Sequence, residues 1–177
     1  EDTSICLGNS LTLGAAANST NGGVTFSWSP TVNLDNPQAA RPILTPTSAP
    51  ANVTYTVTIV SPNCPTKLST INVIVNPLPV IDAGLNVTIN EGETTTLQGS
   101  GGDIYWWTPN TNIMYAGTSS PDVEPVYTTT YYVNSLDANG CYGWDTVVVT
   151  VIASNEVVIY NSFSPNGDDQ NELWYMG

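Results

Sequence analysis

Phe26-Ser27-Trp28-Ser29-Pro30 and Tyr105-Trp106-Trp107-Thr108-Pro109 are two copies of one pattern, and that pattern decides the fold. In each, a tryptophan sits two residues before a proline in a run that reads as a strand facing two environments. Successive side chains of a strand point to opposite faces, so the shared Trp28 and Trp107 are expected inside. Working outward, further landmarks recur in the same order. Ile5-Cys6-Leu7-Gly8-Asn9-Ser10-Leu11-Thr12-Leu13 matches Ile89-Asn90-Glu91-Gly92-Glu93-Thr94-Thr95-Thr96-Leu97. Thr54-Tyr55-Thr56-Val57 matches Thr130-Tyr131-Tyr132-Val133, Asn63-Cys64 matches Gly140-Cys141, and Val73-Ile74-Val75 matches Val149-Thr150-Val151. The offsets lie between 76 and 84 residues, the length of one small domain.

Within each copy, short strands alternate with turn chemistry. Leu11-Thr12-Leu13, Val24-Thr25-Phe26-Ser27-Trp28, Tyr55-Thr56-Val57-Thr58-Ile59 and Ile71-Asn72-Val73-Ile74-Val75 mostly alternate apolar with polar. Asn21-Gly22-Gly23, Asp35-Asn36-Pro37, Ser61-Pro62-Asn63, Gly99-Ser100-Gly101-Gly102-Asp103 and Asp137-Ala138-Asn139-Gly140 supply the turns. No stretch holds a helical period. The expectation is an all-β chain of two tandem Greek-key β-sandwiches, at residues 1–76 and 77–152, followed by the first strands of a truncated C-terminal β-domain at 153–177. Asn76-Pro77-Leu78-Pro79 is the stiff connector between the sandwiches. The second unit opens with an expected edge strand over residues 78–84. The first has only residues 1–4 there, so its first strand is expected to be missing and the chain to be a fragment of a processed protein.

The 177 residues carry 2 basic and 15 acidic side chains, a net charge of −13, with no Lys or Arg after Lys67. A nucleic-acid partner needs a basic surface to displace counterions, and direct attraction to anionic lipid needs the same. Both are excluded as partners. No apolar run is long enough to insert in a bilayer. Histidine is absent, so a Ser-His-Asp triad cannot be built and the chain is read as non-enzymatic. The three cysteines divide as a disulfide expected between Cys6 and Cys64 and a free Cys141, because Asn90 replaces Cys6 in the second copy. A pair of buried thiols is the alternative, and metal-ligand spacing is lacking.

The sequence Ile-Cys-x-Gly-x-Ser-x-x-Leu, then Trp-Ser-Pro, Thr-Tyr-x-Val and Asn-Cys resembles the PKD-like and Ig-like repeats of surface proteins from Bacteroidetes-type bacteria. The tail, Val157-Val158-Ile159-Tyr160-Asn161-Ser162-Phe163-Ser164-Pro165-Asn166-Gly167-Asp168-Asp169-Gln170-Asn171-Glu172-Leu173-Trp174, resembles the opening of the gliding-motility-associated C-terminal domain. That family is the type B sorting domain of the type IX secretion system. Asn161, Phe163, Pro165, Asn166, Gly167, Asp168, Asn171 and Trp174 fit its pattern, while Asp169 and Glu172 depart from the usual Gly and Asp. The resemblance implies a secreted cell-surface adhesin, outer-membrane associated. Its partners would be the type IX secretion machinery and an outer-membrane β-barrel attachment protein. The same tail on a secreted polysaccharide-degrading enzyme, with its catalytic domain upstream, is the alternative.

Candidate sites are few. Trp106, next to Trp107, is sent by alternation to the opposite face, where it stacks on a surface glycan, fills a partner's pocket or lies under a neighbouring loop. Trp144, Tyr142 and Tyr127 are candidates to extend such a surface. Asn166, Asp168 and Asn171 form a run of oxygen donors about a glycine, short of the full Ca2+ loop signature, against a plain Asx turn. No other cofactor or metal is expected. Asp145-Thr146-Val147 resembles the O-glycosylation motif of Bacteroidetes-type bacteria, against a strand threonine.

Overall fold

A computed structural model describes residues 2–16, 23–62 and 64–154. The sorting motif and the calcium candidates, all beyond residue 155, lie outside the described residues. All regular structure among the described residues is strand. The first unit comprises β1 (Thr3–Cys6), β2 (Leu11–Thr12), β3 (Thr25–Ser29), β4 (Ile43–Leu44), β5 (Ala51–Val60) and β6 (Lys67–Asn76). The second comprises β7 (Val87–Asn90), β8 (Thr95–Thr96), β9 (Ile104–Thr108), β10 (Ile113–Met114), β11 (Asp122–Val123), β12 (Thr129–Leu136) and β13 (Tyr142–Ile152). Each unit has one four-stranded sheet, β1-β6-β5-β3 or β7-β13-β12-β9, and a smaller one, β2-β4 or β10-β11-β8. The chain is a tandem of β-sandwiches.

The repeated residues are the cores. Trp28, Tyr55, Val57, Val73, Leu13 and Ile5 are buried in the first unit, and Trp107, Tyr131, Val133, Val149, Leu97 and Ile89 in the second. Each core tryptophan also ties down the loop that follows its strand. The indole N–H of Trp28 donates to the carbonyl of Ala39 at 3.0 Å, and that of Trp107 to Thr118 at 2.9 Å. Burying a tryptophan needs a partner for that N–H, and both copies supply one at the same sequence distance. Asn33 and Asn112, with φ of 63° and 55°, hold the same left-handed turn, which asparagine tolerates better than most side chains.

The edge strand expected over residues 78–84 is a single bridge. Asp82 donates to and accepts from Ser100 at 3.1 and 2.8 Å, while Ile81 and Ala83 sink into the core. Pro79 has no N–H to extend the pairing, and Gly84, at φ 82°, turns the chain away.

The cysteine pairing also differs from expectation. Cys6 is bonded to Cys141 across the two units, and Cys64 is an exposed free thiol. The reason lies in strand direction. β1 runs parallel to β6, which sets Cys6 beside Asn76 at the end of that strand. Cys64 lies before β6 begins. Ten residues of strand at about 3.3 Å each hold the two thiols roughly 30 Å apart, far beyond the reach of a disulfide. The end of β6 is instead where the chain leaves for the second unit, and the 137–141 turn stands at the near end of that unit. There Cys141 is fully buried and its Cα lies 5.5 Å from that of Cys6.

Candidate functional site

The outer face of the second unit's large sheet carries the only cluster of paired exposed rings among the described residues. Its position follows from register. β12 is flanked by β9 and β13, and Asn134 stands opposite Trp106 on one side and Trp144 on the other. One step along, Tyr132 stands between Thr108 and Thr146, and one step the other way Leu136 stands between Ile104 and Tyr142. Because side chains two apart share a face, these three rows form one surface.

The rings meet diagonally across the strands. Trp106 and Tyr142 have centroids 6.0 Å apart and planes inclined by 32°, and Tyr132 and Trp144 are 6.4 Å apart at 39°. Trp106 is 38% exposed, Tyr132 44%, Tyr142 46% and Trp144 59%, so no loop among the described residues covers the face. Asn134 sits between the pairs. Its carbonyl oxygen accepts the Tyr142 hydroxyl at 2.7 Å, and its amide reaches the Trp106 carbonyl at 3.4 Å. Among the described residues, the indole N–H groups of Trp106 and Trp144 and the Tyr132 hydroxyl bond no protein group.

Electrostatically the face is neutral. The carboxylate of Asp145, on β13 itself, is drawn to the other side by the backbone N–H of Ala83 at 2.9 Å. Thr146 lies half-buried in the strand. Asp137 caps the turn beside Tyr142, accepting the N–H groups of Cys141 at 2.8 Å and Asn139 at 2.9 Å. The Cys141 N–H holds this carboxyl below its ordinary range, desolvation opposes it, and Asn139 adds to the lowering.

The sequence picked out Trp106, Trp144 and Tyr142, which the sheet brings together. Tyr127, in the connection ahead of β12, is exposed but makes no ring contact with them. Tyr132 and Asn134 were not read as site residues. The available signal was a difference between the copies: Thr56 and Thr58 stand where the second unit has Tyr132 and Asn134. The face presents stacking surfaces and hydrogen-bonding groups, which is the chemistry of binding. Among the described residues no three of His, Cys, Asp and Glu are grouped to hold a metal ion.

The sequence matches no protein-family model, and no curated protein matches it. Solved structures of similar architecture include the first two Ig domains of DIP-gamma, at 11% identity over 85% of this chain and 93% of that chain, with a TM-score of 0.41. The insect immune protein hemolin is 12% identical over 85% of this chain, with a TM-score of 0.43; the chain spans 44% of its length. The PKD domain of the KIAA 1837 protein is 21% identical over 43% of this chain and 88% of that domain, with a TM-score of 0.36.

Proposed function

We propose that the chain is a segment of a secreted cell-surface adhesin. Two cross-linked sandwiches serve as a stiff extracellular spacer, and residues 153–177 open a type B sorting domain that docks on an outer-membrane partner after type IX export. The observation that carries the spacer reading is the disulfide between units, Cys6 to Cys141. It lies beside the Pro77-Leu78-Pro79 connector, so the joint has two covalent paths where a simple linker has one. A hinge with two attachment points loses most of its freedom, which suits a part that must hold its neighbours at a fixed spacing. Such a bond persists in oxidising surroundings, as outside the cell. The acidic surface keeps an exposed chain soluble. Support for the sorting role is the fit of Asn161, Phe163, Pro165, Asn166, Gly167, Asp168, Asn171 and Trp174 to the family's opening.

The test is a reporter fused to the complete C-terminal region from Asn155 onward in a type IX-competent host. Export that persists without residues 1–152 and fails without residues 156–177 supports the assignment. Export that requires the sandwiches refutes it.

A further inference from the structure

We infer that the outer face of the β9-β12-β13 sheet is a binding platform for an uncharged polysaccharide, with Trp106, Tyr132, Tyr142 and Trp144 as stacking surfaces and Asn134 as the polar centre. A spacer needs no ligand, so this goes beyond the spacer reading and stands or falls apart from the sorting tail.

The first argument is an internal control. The two units share sheet order, register and core, yet differ on this face. The row Trp106–Asn134–Trp144 of the second unit is Ser27–Thr58–Leu68 in the first, and Tyr132 is Thr56. The sandwich therefore forms without these aromatics. Rings that the fold does not need, left uncovered by the described residues, are present for contact with something else.

The second argument is charge. The chain carries −13, but none of the nine residues in the three rows is charged, and the carboxylates of Asp145 on β13 and Asp137 in the turn before Tyr142 are turned into backbone hydrogen bonds. The overall negative field repels nucleic acid, sulfated or uronate polymers and anionic lipid. The face itself offers no carboxylate to a cation. Nor are the rings arranged as a cation cage, which needs walls enclosing the charge; tilts of 32° and 39° leave an open surface. A neutral partner is what this distribution leaves.

The third argument is chemical and dimensional. An aromatic face carries a negative quadrupole, which attracts the weakly positive C–H groups on the flat side of a sugar ring. The hydroxyls at the ring edge then need polar partners. Two indole N–H groups, the Tyr132 hydroxyl and the remaining capacity of the Asn134 amide are open for that purpose, whereas the N–H groups of core Trp28 and Trp107 are already bonded. Three strands and three rows span roughly 10 by 14 Å, room for about two or three sugar rings.

The experiment uses the full 177-residue chain and four neutral hexaoses: β-1,4-glucose, β-1,4-xylose, β-1,4-mannose and α-1,4-glucose. Heparin and oligolysine serve as charged controls. Titration calorimetry and tryptophan fluorescence read binding. At least one hexaose is expected to bind, with an affinity insensitive to about 0.5 M salt. W106S and W144L are each expected to weaken it about tenfold or more, and Y132T less. These are the residues the first unit carries at matched positions, so the sandwich accommodates them. W106F, which keeps a ring, is expected to fall between wild type and W106S. Melting temperatures verify folding. Failure of all four hexaoses overturns the proposal, as does hexaose binding that W106S and W144L leave intact. Oligolysine binding lost in W106S overturns it in favour of a cationic peptide. A dimer in light scattering that W106S dissolves overturns it in favour of a second copy.

Discussion

The first and second sandwiches are the same machine inside and different machines outside. Trp28 and Trp107 fill equivalent places with equivalent hydrogen bonds, and Tyr55 and Tyr131 lie behind them, both with phenol groups pushed up by burial. On the outer face of the large sheet, serine, threonine and leucine face tryptophan, tyrosine and asparagine. At the joint, the first unit contributes a strand end and the second a turn. Residues that hold a sandwich together are repeated because packing density leaves little choice. Outer-face residues are free to differ, and where they differ towards exposed rings they report use.

The comparison can be broken most severely at the cores. Trp28→Ala and Trp107→Ala are each expected to cost about 3–5 kcal/mol and to unfold chiefly the unit concerned. Calorimetry resolving two transitions would check this, and a large difference between the two would end the claim of equivalent cores. Next comes the joint. Cys141→Ser removes a cross-link that closes a loop through both units, and the chain-entropy model gives up to about 4 kcal/mol for whichever unit unfolds first. Both transitions should fall, while Cys64→Ser should move neither. Alkylation of the denatured, unreduced chain should label Cys64 alone.

A smaller effect separates the units by their packing against the connector. Gly143 faces the Pro79 carbonyl and Ile81, and an added Cβ would lie 2.9 and 2.7 Å from them. At the matched register position the first unit has exposed Lys67. Gly143→Ala is expected to cost about 1–3 kcal/mol, and Lys67→Ala to stay within about 0.5 kcal/mol, by thermal melting. The smallest effect is electrostatic. The native pKa of Asp137 is lowered, so its contribution is fully present above the ordinary value near 3.8 and is lost as pH falls through the lowered native value. Asp137→Asn should reduce the acid sensitivity of the second unit in that window and leave that of the first unchanged.

The cores and the sandwich order were legible because burial repeats: a period of two, a tryptophan before proline and a matched tyrosine recur across 76 to 84 residues. The disulfide was not. Pairing Cys6 with Cys64 assumed that cysteines of one repeat belong together. That fails once β1 runs parallel to a ten-residue β6, because the two thiols then lie at opposite ends of the unit. Nothing in the local sequence announces strand direction. Trp106 was legible from the tryptophan doublet, since two neighbours in a strand cannot both be inside. Tyr132 was hidden beside Tyr131 for the same reason, and Asn134 had no signal of its own. Only cross-strand register, which is a long-range property, sets them beside Trp106 and Trp144.

The bond between Cys6 and Cys141 also decides how the segment behaves when pulled. Tension entering before β1 passes through Thr3–Cys6, crosses the sulfur bridge to Cys141 and leaves along Tyr142–Ile152. Everything between the two cysteines, a separation of 135 positions, hangs beside that route as slack. At about 3.4 Å per extended residue, roughly 450 Å of chain cannot be drawn out while the bridge stands. Both sandwiches could unfold and the tether would still hardly lengthen. With the bridge reduced, the same force would run through each domain in turn, and the segment would change from an inextensible strap into a sacrificial spring.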